Sequence, residues 1–193
     1  MEITVPELVS RFIEGDQTAF AELVRRYQKK LYSVAYQMLG NHLDADEVVQ
    51  ESFVRVYKRR RELQNVSNFT SFLIRIATNY SIDILRKRRS HAEVTDDPSS
   101  LPGDIQISLA NRVRTPDEHF RDRVIMEEIR RALELLPTKQ RITTILHDIE
   151  GYSKSEIAEI MECPEATVRS NLHIARTKLR KILKKRLANK EQK

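Results

Sequence analysis

Catalysis and metal binding need particular side chains at particular spacings, and this chain holds few of them. Its five histidines, His42, His91, His119, His147 and His173, are scattered. No two lie i, i+4, and none forms a ligand pattern with the lone Cys163. The four glycines stand singly, so no glycine-rich loop is there to cradle phosphate, and no nucleophile elbow occurs. Asp44, Asp46, Glu47 and Glu51 are clustered carboxylates, but they lack the glycine and alternating spacing of a calcium loop. We expect no catalytic residue, no metal site, no cofactor and no enzymatic activity. A docking face for a basic partner is the better use of those acids.

Cations are more informative. Between Glu165 and Glu191 there is no acidic residue, while Arg169, Arg176, Lys178, Arg180, Lys181, Lys184, Lys185 and Arg186 are basic. Along the same stretch Val168, Leu172, Ala175, Leu179 and Ile182–Leu183 recur at helical spacing, which predicts a helix with one buried stripe and one cationic side. Just before it, Ser153 and Glu156 form a capping box for a short helix bearing Ile157, Ala158 and Met161. Glu162-Cys163-Pro164 then breaks the pattern, because proline suits the first turn of a new helix and not the interior of an old one. Short helix, corner, basic helix is a helix-turn-helix, whose second helix lies in a major groove. A helical hairpin with a solvated basic face has the same pattern.

The rest of the chain must position that element. Thirty-four Lys and Arg against 28 Asp and Glu give +6, which suits an anionic partner. Few glycines, no tryptophan and 32% charged residues point to an all-α protein. One cysteine excludes an internal disulfide framework. No apolar run reaches the ~20 residues that span a bilayer, and MEITVPELVSRF is no secretory leader. A protein that is soluble and intracellular is the expectation.

Helical periodicity predicts a short helix from Pro6 to Glu14, closed by Gly15-Asp16. A long amphipathic helix follows over Gln17–Leu39, with Phe20, Leu23–Val24, Tyr27, Leu31, Val34–Ala35 and Met38 inward, ended by Gly40-Asn41. Asp44 and Glu47 read as a capping box for a helix to about Arg60, acidic at its start and basic at its end. That polarity also complements the helix dipole. Leu63–Ser67 reads as a polar break. Next comes a helix over about Asn68–Arg88 with Phe69, Phe72–Leu73, Ile76–Ala77, Tyr80 and Ile84, ending in Arg86-Lys87-Arg88-Arg89. Aromatics interleaved with cations suit a single strand of nucleic acid, but the helical period favours a core place for at least two of Phe69, Phe72 and Tyr80 and leaves open which. Residues 91–117 carry three prolines, no helical period and a net charge of −3, between flanks of +4 and +5. This is a flexible acidic linker between two small helical domains. Thr115 and Glu118 form a capping box for a helix whose stripe is Val124–Ile125, Glu128–Ile129, Ala132–Leu133 and Leu136, stopped by Pro137. A helix over Thr138–Ile149 precedes the helix-turn-helix.

Several of these segments together resemble the extracytoplasmic-function (ECF) group of bacterial RNA polymerase sigma factors, and within it the envelope-stress, sigma-E-like type. GDQTAFAELVRRYQ is similar to the group's first conserved helix, and DADEVVQESFVRVYK to its polymerase-binding helix. FTSFLIRIATNYSIDILRKRR is similar to the helix that reads the promoter −10 element. LPTKQR, EGYSKSEIAEIM and CPEATVRSNLHIARTKL are similar to the −35-reading domain. The resemblance implies sigma region 2 over residues 1–90, a linker over 91–117 and sigma region 4 over 118–193.

It further implies that Asp44, Asp46, Glu47, Gln50 and Glu51 meet the β′ subunit of core RNA polymerase, with the β subunit also a partner. Leu63–Ser67 with Asn68 would receive a flipped −10 base, with Asn79 nearby. Phe69, Phe72, Arg75, Tyr80, Arg86, Lys87 and Arg88 would complete the −10 surface. Arg169, Ser170, Asn171, His173, Ile174 and Arg176 would face the −35 DNA. The acidic linker would thread towards the polymerase active-site and RNA-exit channels. An anti-sigma factor, a cytoplasmic bacterial setting, no membrane insertion and no obligate homo-oligomer are implied as well.

The chain departs from the group's pattern in four places. Phe72 stands where tryptophan is usual, Ala166 where glycine is, and Asn171 and Ile174 where arginines are common. Arginine to guanine is the commonest specific base contact, whereas Ile174 offers only apolar contact. A −35 preference unlike the GAAC-type motif of the envelope-stress relatives is therefore expected. Two other functions share some of these features. A dimeric helix-turn-helix repressor leaves the acidic Q-E-x-F helix unexplained, and a nucleic-acid-processing enzyme lacks a nucleophile or metal set.

Overall fold

A computed structural model describes residues 3–94 and 116–190. Among them the chain is all-α, in two helical domains. The first holds α1 (Val5–Glu14), α2 (Gln17–Leu39), α3 (His42–Lys58), a 3-10 turn (Arg60–Asn65) and α4 (Phe69–Val94). The second holds α5 (Pro116–Glu134), α6 (Thr138–Thr144) continued by a π-helical turn (Ile145–Ile149), α7 (Lys154–Ile160) and α8 (Glu165–Lys190). Of the linker read over 91–117, residues 91–94 belong to α4 and 116–117 to α5, while 95–115, with the Thr115 cap, lie outside the described residues.

Local chemistry sets most of the helix ends. Thr4 caps α1, and Gly15, at φ 106°, closes it. Asp16 then caps α2 through the N–H groups of Thr18 and Ala19. The same carboxylate takes Arg11 Nε at 2.9 Å, so one side chain ends one helix and starts the next. Five hydrogen bonds to the charged form hold its pKa well below the usual carboxylate range, led by those from Thr18 and Arg11. Gly40 closes α2 at φ 68°, and a Cβ there would also strike the Arg130 guanidinium. Ser153 and Glu156 form the expected reciprocal capping box on α7.

The structure corrects the sequence reading of the helices at five points. Asn41, not Asp44, caps α3, because its side chain takes the Leu43 N–H at 2.8 Å; this starts the helix at His42. Residues 63–65 of the segment read as a polar break end a 3-10 turn whose Leu63 is buried, anchoring the turn to the core. Helix α4 continues past Arg88 to Val94. The helix expected over Thr138–Ile149 changes to π geometry from Ile145, a form frequent at functional sites. Ile125, assigned to the buried stripe of α5, is exposed.

Helix α2 is buried on more of its circumference than one stripe. Leu23, Leu31, Ala35 and Met38 meet the first domain's core, yet Tyr36 and Leu39 are buried too. The second domain covers that further side. Lys30 Nζ lies 4.3 Å from the Tyr152 ring centroid, and Ser33 Oγ donates to Glu150 Oε1 at 2.6 Å. Burial, with Glu150 and Glu156 nearby, pushes the Tyr152 phenol far up. Arg141, only 5% exposed, donates to Met38 O at 3.1 Å and to Glu134 O at 2.5 Å. It thus serves carbonyls at the C-terminal ends of α2 and α5, which lack partners within their own helices.

Candidate nucleic-acid interface

Three surfaces carry the residues singled out by sequence. On α3, Val48, Ser52, Phe53 and Val56 face inward, which turns Asp46, Glu47 and Gln50 to solvent. Glu51 is half-buried and pairs with Arg55 at 2.7 Å. Leu43 shares the face of Glu47 and Gln50, four and seven residues on, and is 79% exposed. A leucine that bare among carboxylates is the feature sequence reasoning missed. Its signal was available, since it stands off the apolar stripe of α3. Asp44 sits apart from this face, half-buried and paired with Arg88.

The second surface lies along α4. Asn68 accepts the Ser71 N–H at 3.1 Å, the bond of a capping residue, and so fixes the entry to the helix. Phe69 is 6% exposed and packs edge-on to Tyr27 with centroids 5.6 Å apart. It is a core residue and has no surface for DNA, because its position faces α2 across the bundle; this corrects the expectation. Phe72 is half-buried, with Arg75 over its ring at 5.6 Å. Asn79 is exposed. Tyr80 donates to Glu47 Oε1 at 2.6 Å and carries the Arg55 guanidinium 4.7 Å from its ring centroid. That bond to Glu47, with burial second, pushes its phenol up to about 12.

The cationic end of α4 divides. Arg86 and Lys87 are exposed, and Arg86 makes only a loose 3.7 Å approach to Asp83. Arg88 turns inward instead: it pairs with Asp44 and donates to Leu39 O at 3.1 Å, and burial lowers the pKa of its guanidinium. It is a strut joining α2, α3 and α4 rather than a free cation.

The third surface is α8. Val168, Leu172 and Ala175 are buried as the stripe required. Arg169, Ser170, His173, Ile174 and Arg176 are exposed, with Asn171 at the edge. Both arginines are held. Glu165 takes Arg169 Nη2 at 2.6 Å, one turn back along the helix. Asp148, on the π-helical turn, takes Arg176 Nε at 3.2 Å and raises the pKa of that guanidinium. Neither acid was foreseen from sequence, and Asp148 reaches α8 from 28 residues away. Among the described residues no three His, Cys, Asp or Glu side chains form a group able to hold a metal ion.

Helix-turn-helix, acidic exposed helix and cation-ended α4 together have the features of a helical nucleic-acid-binding protein. Residues 23–91 match the family model for Sigma-70 region 2, and residues 126–179 match that for Sigma-70, region 4. The chain is 32% identical over 186 residues to the ECF RNA polymerase sigma factor SigW of Bacillus subtilis, covering 95% of this chain and 99% of that one. It is 31% identical over 176 residues to the sigma-E factor of Escherichia coli K12, covering 91% and 92%. The protein therefore belongs to the ECF RNA polymerase sigma factors. In fold it is similar to CnrH, solved with the cytosolic domain of CnrY (TM-score 0.69, 24% identity, 92% of this chain and 95% of that one). It is similar also to RpoE of Bartonella quintana, solved with the anti-sigma factor NepR (TM-score 0.67, 22% identity, 86% and 96%).

Proposed function

We propose that the chain is a dissociable promoter-specificity subunit that acts by binding rather than catalysis, in the bacterial cytoplasm. Residues 1–90 serve as the core-binding and −10-reading domain, 91–117 as the linker and 118–193 as the −35 reader. The observation that carries the reading is the separation of charge. An exposed acidic and amide face on α3 stands apart from the exposed arginines of α8. A basic surface, such as coiled-coil helices of the β′ subunit, fits Asp46, Glu47, Gln50 and Glu51. Leu43 supplies the apolar anchor that such polar pairs lack, since charge pairs mainly set specificity and on-rate.

On α4, Asn68, Phe72, Arg75, Asn79 and Tyr80 line the surface for an unpaired −10 strand, with Arg86 and Lys87 on its phosphates. A base leaving the stack costs a few kcal/mol, which ring and pocket contacts must offset. On α8, Arg169, Ser170, Asn171, His173, Ile174 and Arg176 meet the −35 groove. Core polymerase holding both readers on one body raises their effective concentration, so sequence-specific binding emerges only in the assembly. By likeness to RpoE of Bartonella quintana, solved with the anti-sigma factor NepR, an anti-sigma factor is a further partner.

Promoter binding by the free chain, by core alone and by the reconstituted pair tests this. Specific retention of promoter DNA is expected only for the pair. Tight specific binding by the free chain as a dimer would establish the repressor reading instead.

A further inference from the structure

Arg169, His173 and Arg176 follow one another at i, i+4, i+7 and so form one exposed row on α8. The two arginines of that row are held differently. Glu165 grips Arg169 from one turn back on the same helix, a pairing that i, i+4 spacing brings about unaided. Asp148 comes from another element, 28 residues earlier in the chain, so helix spacing alone does not place it. The pair is open to solvent, its side chains 32% exposed on Asp148 and 51% on Arg176. An exposed pair adds little to folding. On a helix that enters a DNA groove, moreover, a carboxylate is repelled by the phosphates. Neither stability nor attraction to DNA explains Asp148.

The turn that carries Asp148 is an independent pointer. Residues 145–149 make a π-helical turn closed by the Glu150 N–H to Ile145 O at 3.0 Å, which encloses one residue more than an α-helical turn. His147 Nδ1 meets Tyr152 O at 2.7 Å, and the Tyr152 N–H donates to Leu146 O at 2.9 Å, so the turn is tied to the segment after it. Such turns are rare and gather at functional sites. Here Ile145 and Leu146 stay buried while Asp148 is delivered to α8.

The grip is on one edge of the guanidinium. Nε donates to Asp148 Oδ2 at 3.2 Å and Nη2 donates to Oδ1, the bidentate fork of an arginine–carboxylate pair. A guanidinium has five N–H donors, and this fork uses two of them. Among the described residues Nη1 has no hydrogen-bond partner. The end-on edge, one N–H of Nη1 beside the second N–H of Nη2, is left unspent and fixed in direction. Two parallel donors of that kind match O6 and N7 of guanine.

We propose that Asp148 is a positioning residue for −35 recognition: it fixes the Arg176 fork so that the end-on edge reads one guanine in the major groove. The proposal rests on the reading of α8 given above. An arginine already held does not have its long stem to order on binding. Its charge is also partly answered by the carboxylate, so it is drawn less to phosphates of any sequence. Discrimination rises while non-specific binding falls.

Competition binding by core polymerase reconstituted with the full chain tests it. The templates are a −35 element selected from a random pool and its single-base-pair variants, at two salt concentrations. The parent is expected to lose about tenfold when one G·C pair is changed, and Arg176→Ala to abolish that discrimination. Asp148→Asn keeps the shape of the side chain and should unfold in urea as the parent does. Discrimination at the same pair is expected to fall to about twofold in this variant. Its binding to non-specific DNA should tighten, with the slope of log K against log salt steeper by about one. A purely structural pair would not move specific and non-specific binding in opposite directions. Full discrimination by Asp148→Asn where Arg176→Ala is defective would overturn the positioning role, and so would an equal loss on every template. A loss for Arg176→Ala that is the same on every template would overturn the guanine contact in favour of phosphate. No effect of Arg176→Ala on any template would instead count against the reading of α8.

Discussion

Replacing Arg141 by methionine removes one guanidinium and keeps an unbranched stem of similar reach. The native side chain is 5% exposed and spans two helix ends, donating to Met38 O at 3.1 Å and to Glu134 O at 2.5 Å. Both carbonyls lie in the last turn of their helices, α2 and α5, where no main-chain donor follows. Hydrogen bonds from a charged donor contribute about 1.5–3 kcal/mol each. A cation at a helix C-terminus adds about 0.3–1 kcal/mol. Against this, burying the guanidinium costs several kcal/mol that methionine avoids. Leaving two buried carbonyls unserved costs about 1–3 kcal/mol apiece, and this decides the sign. A net loss of about 2–4 kcal/mol in unfolding free energy is expected from urea titration at 25 °C. Lysine in its place recovers only part, as it offers no planar fork for two acceptors. A loss below about 0.5 kcal/mol would refute the docking of the two domains through this residue, since only a solvated arginine is so cheaply removed.

Other consequences follow from the same contacts. Glu22 is held down to about 2 from an ordinary 4.5 by hydrogen bonds from Arg25 and then Arg26. Its folded-state pKa is depressed, so its contribution is full above pH 4.5 and fades towards pH 2. Glu22→Gln should flatten that part of an acid-unfolding curve, and an unchanged curve would contradict the pairing. Gln50→Ala should weaken binding to core polymerase, read by competition with a labelled sigma, and leave oligonucleotide binding unchanged. Arg169→Ala should cost about 1–3 kcal/mol at one −35 base pair and relax discrimination there; an equal loss on every promoter would make it a phosphate contact. Selection of −35 sequences from a random pool with reconstituted polymerase should recover a motif other than GAAC, given Asn171 and Ile174, and recovery of GAAC would contradict that inference.

The sequence was a good guide where local chemistry decides. Gly15, Gly40 and Ser153 marked helix ends that the structure keeps. The period of Val168, Leu172 and Ala175 placed the outward row of α8 correctly. Failures came where a distant partner decides. Tyr36 is off the main stripe of α2; the His42 ring stacks beside it, and Glu127 and Arg130 of α5 lie near its phenol. Arg88 reads as one more cation in a basic run, yet its height on α4 brings it against Asp44 and Leu39. Phe69 and Phe72 look alike in sequence, three residues apart; only packing separates a core ring from a half-buried one. Asp148 reaches Arg176 by way of a π-helical turn that no periodicity announces.

The central claim is that this chain confers promoter choice on core polymerase. Run-off transcription from a promoter carrying a −35 element selected as above, with purified core and with or without the chain, tests it most directly. Initiation is expected only when both are present, and it should fall when either the −35 or the −10 element is scrambled. Transcription indifferent to the chain, or equal from both scrambled templates, would contradict the account.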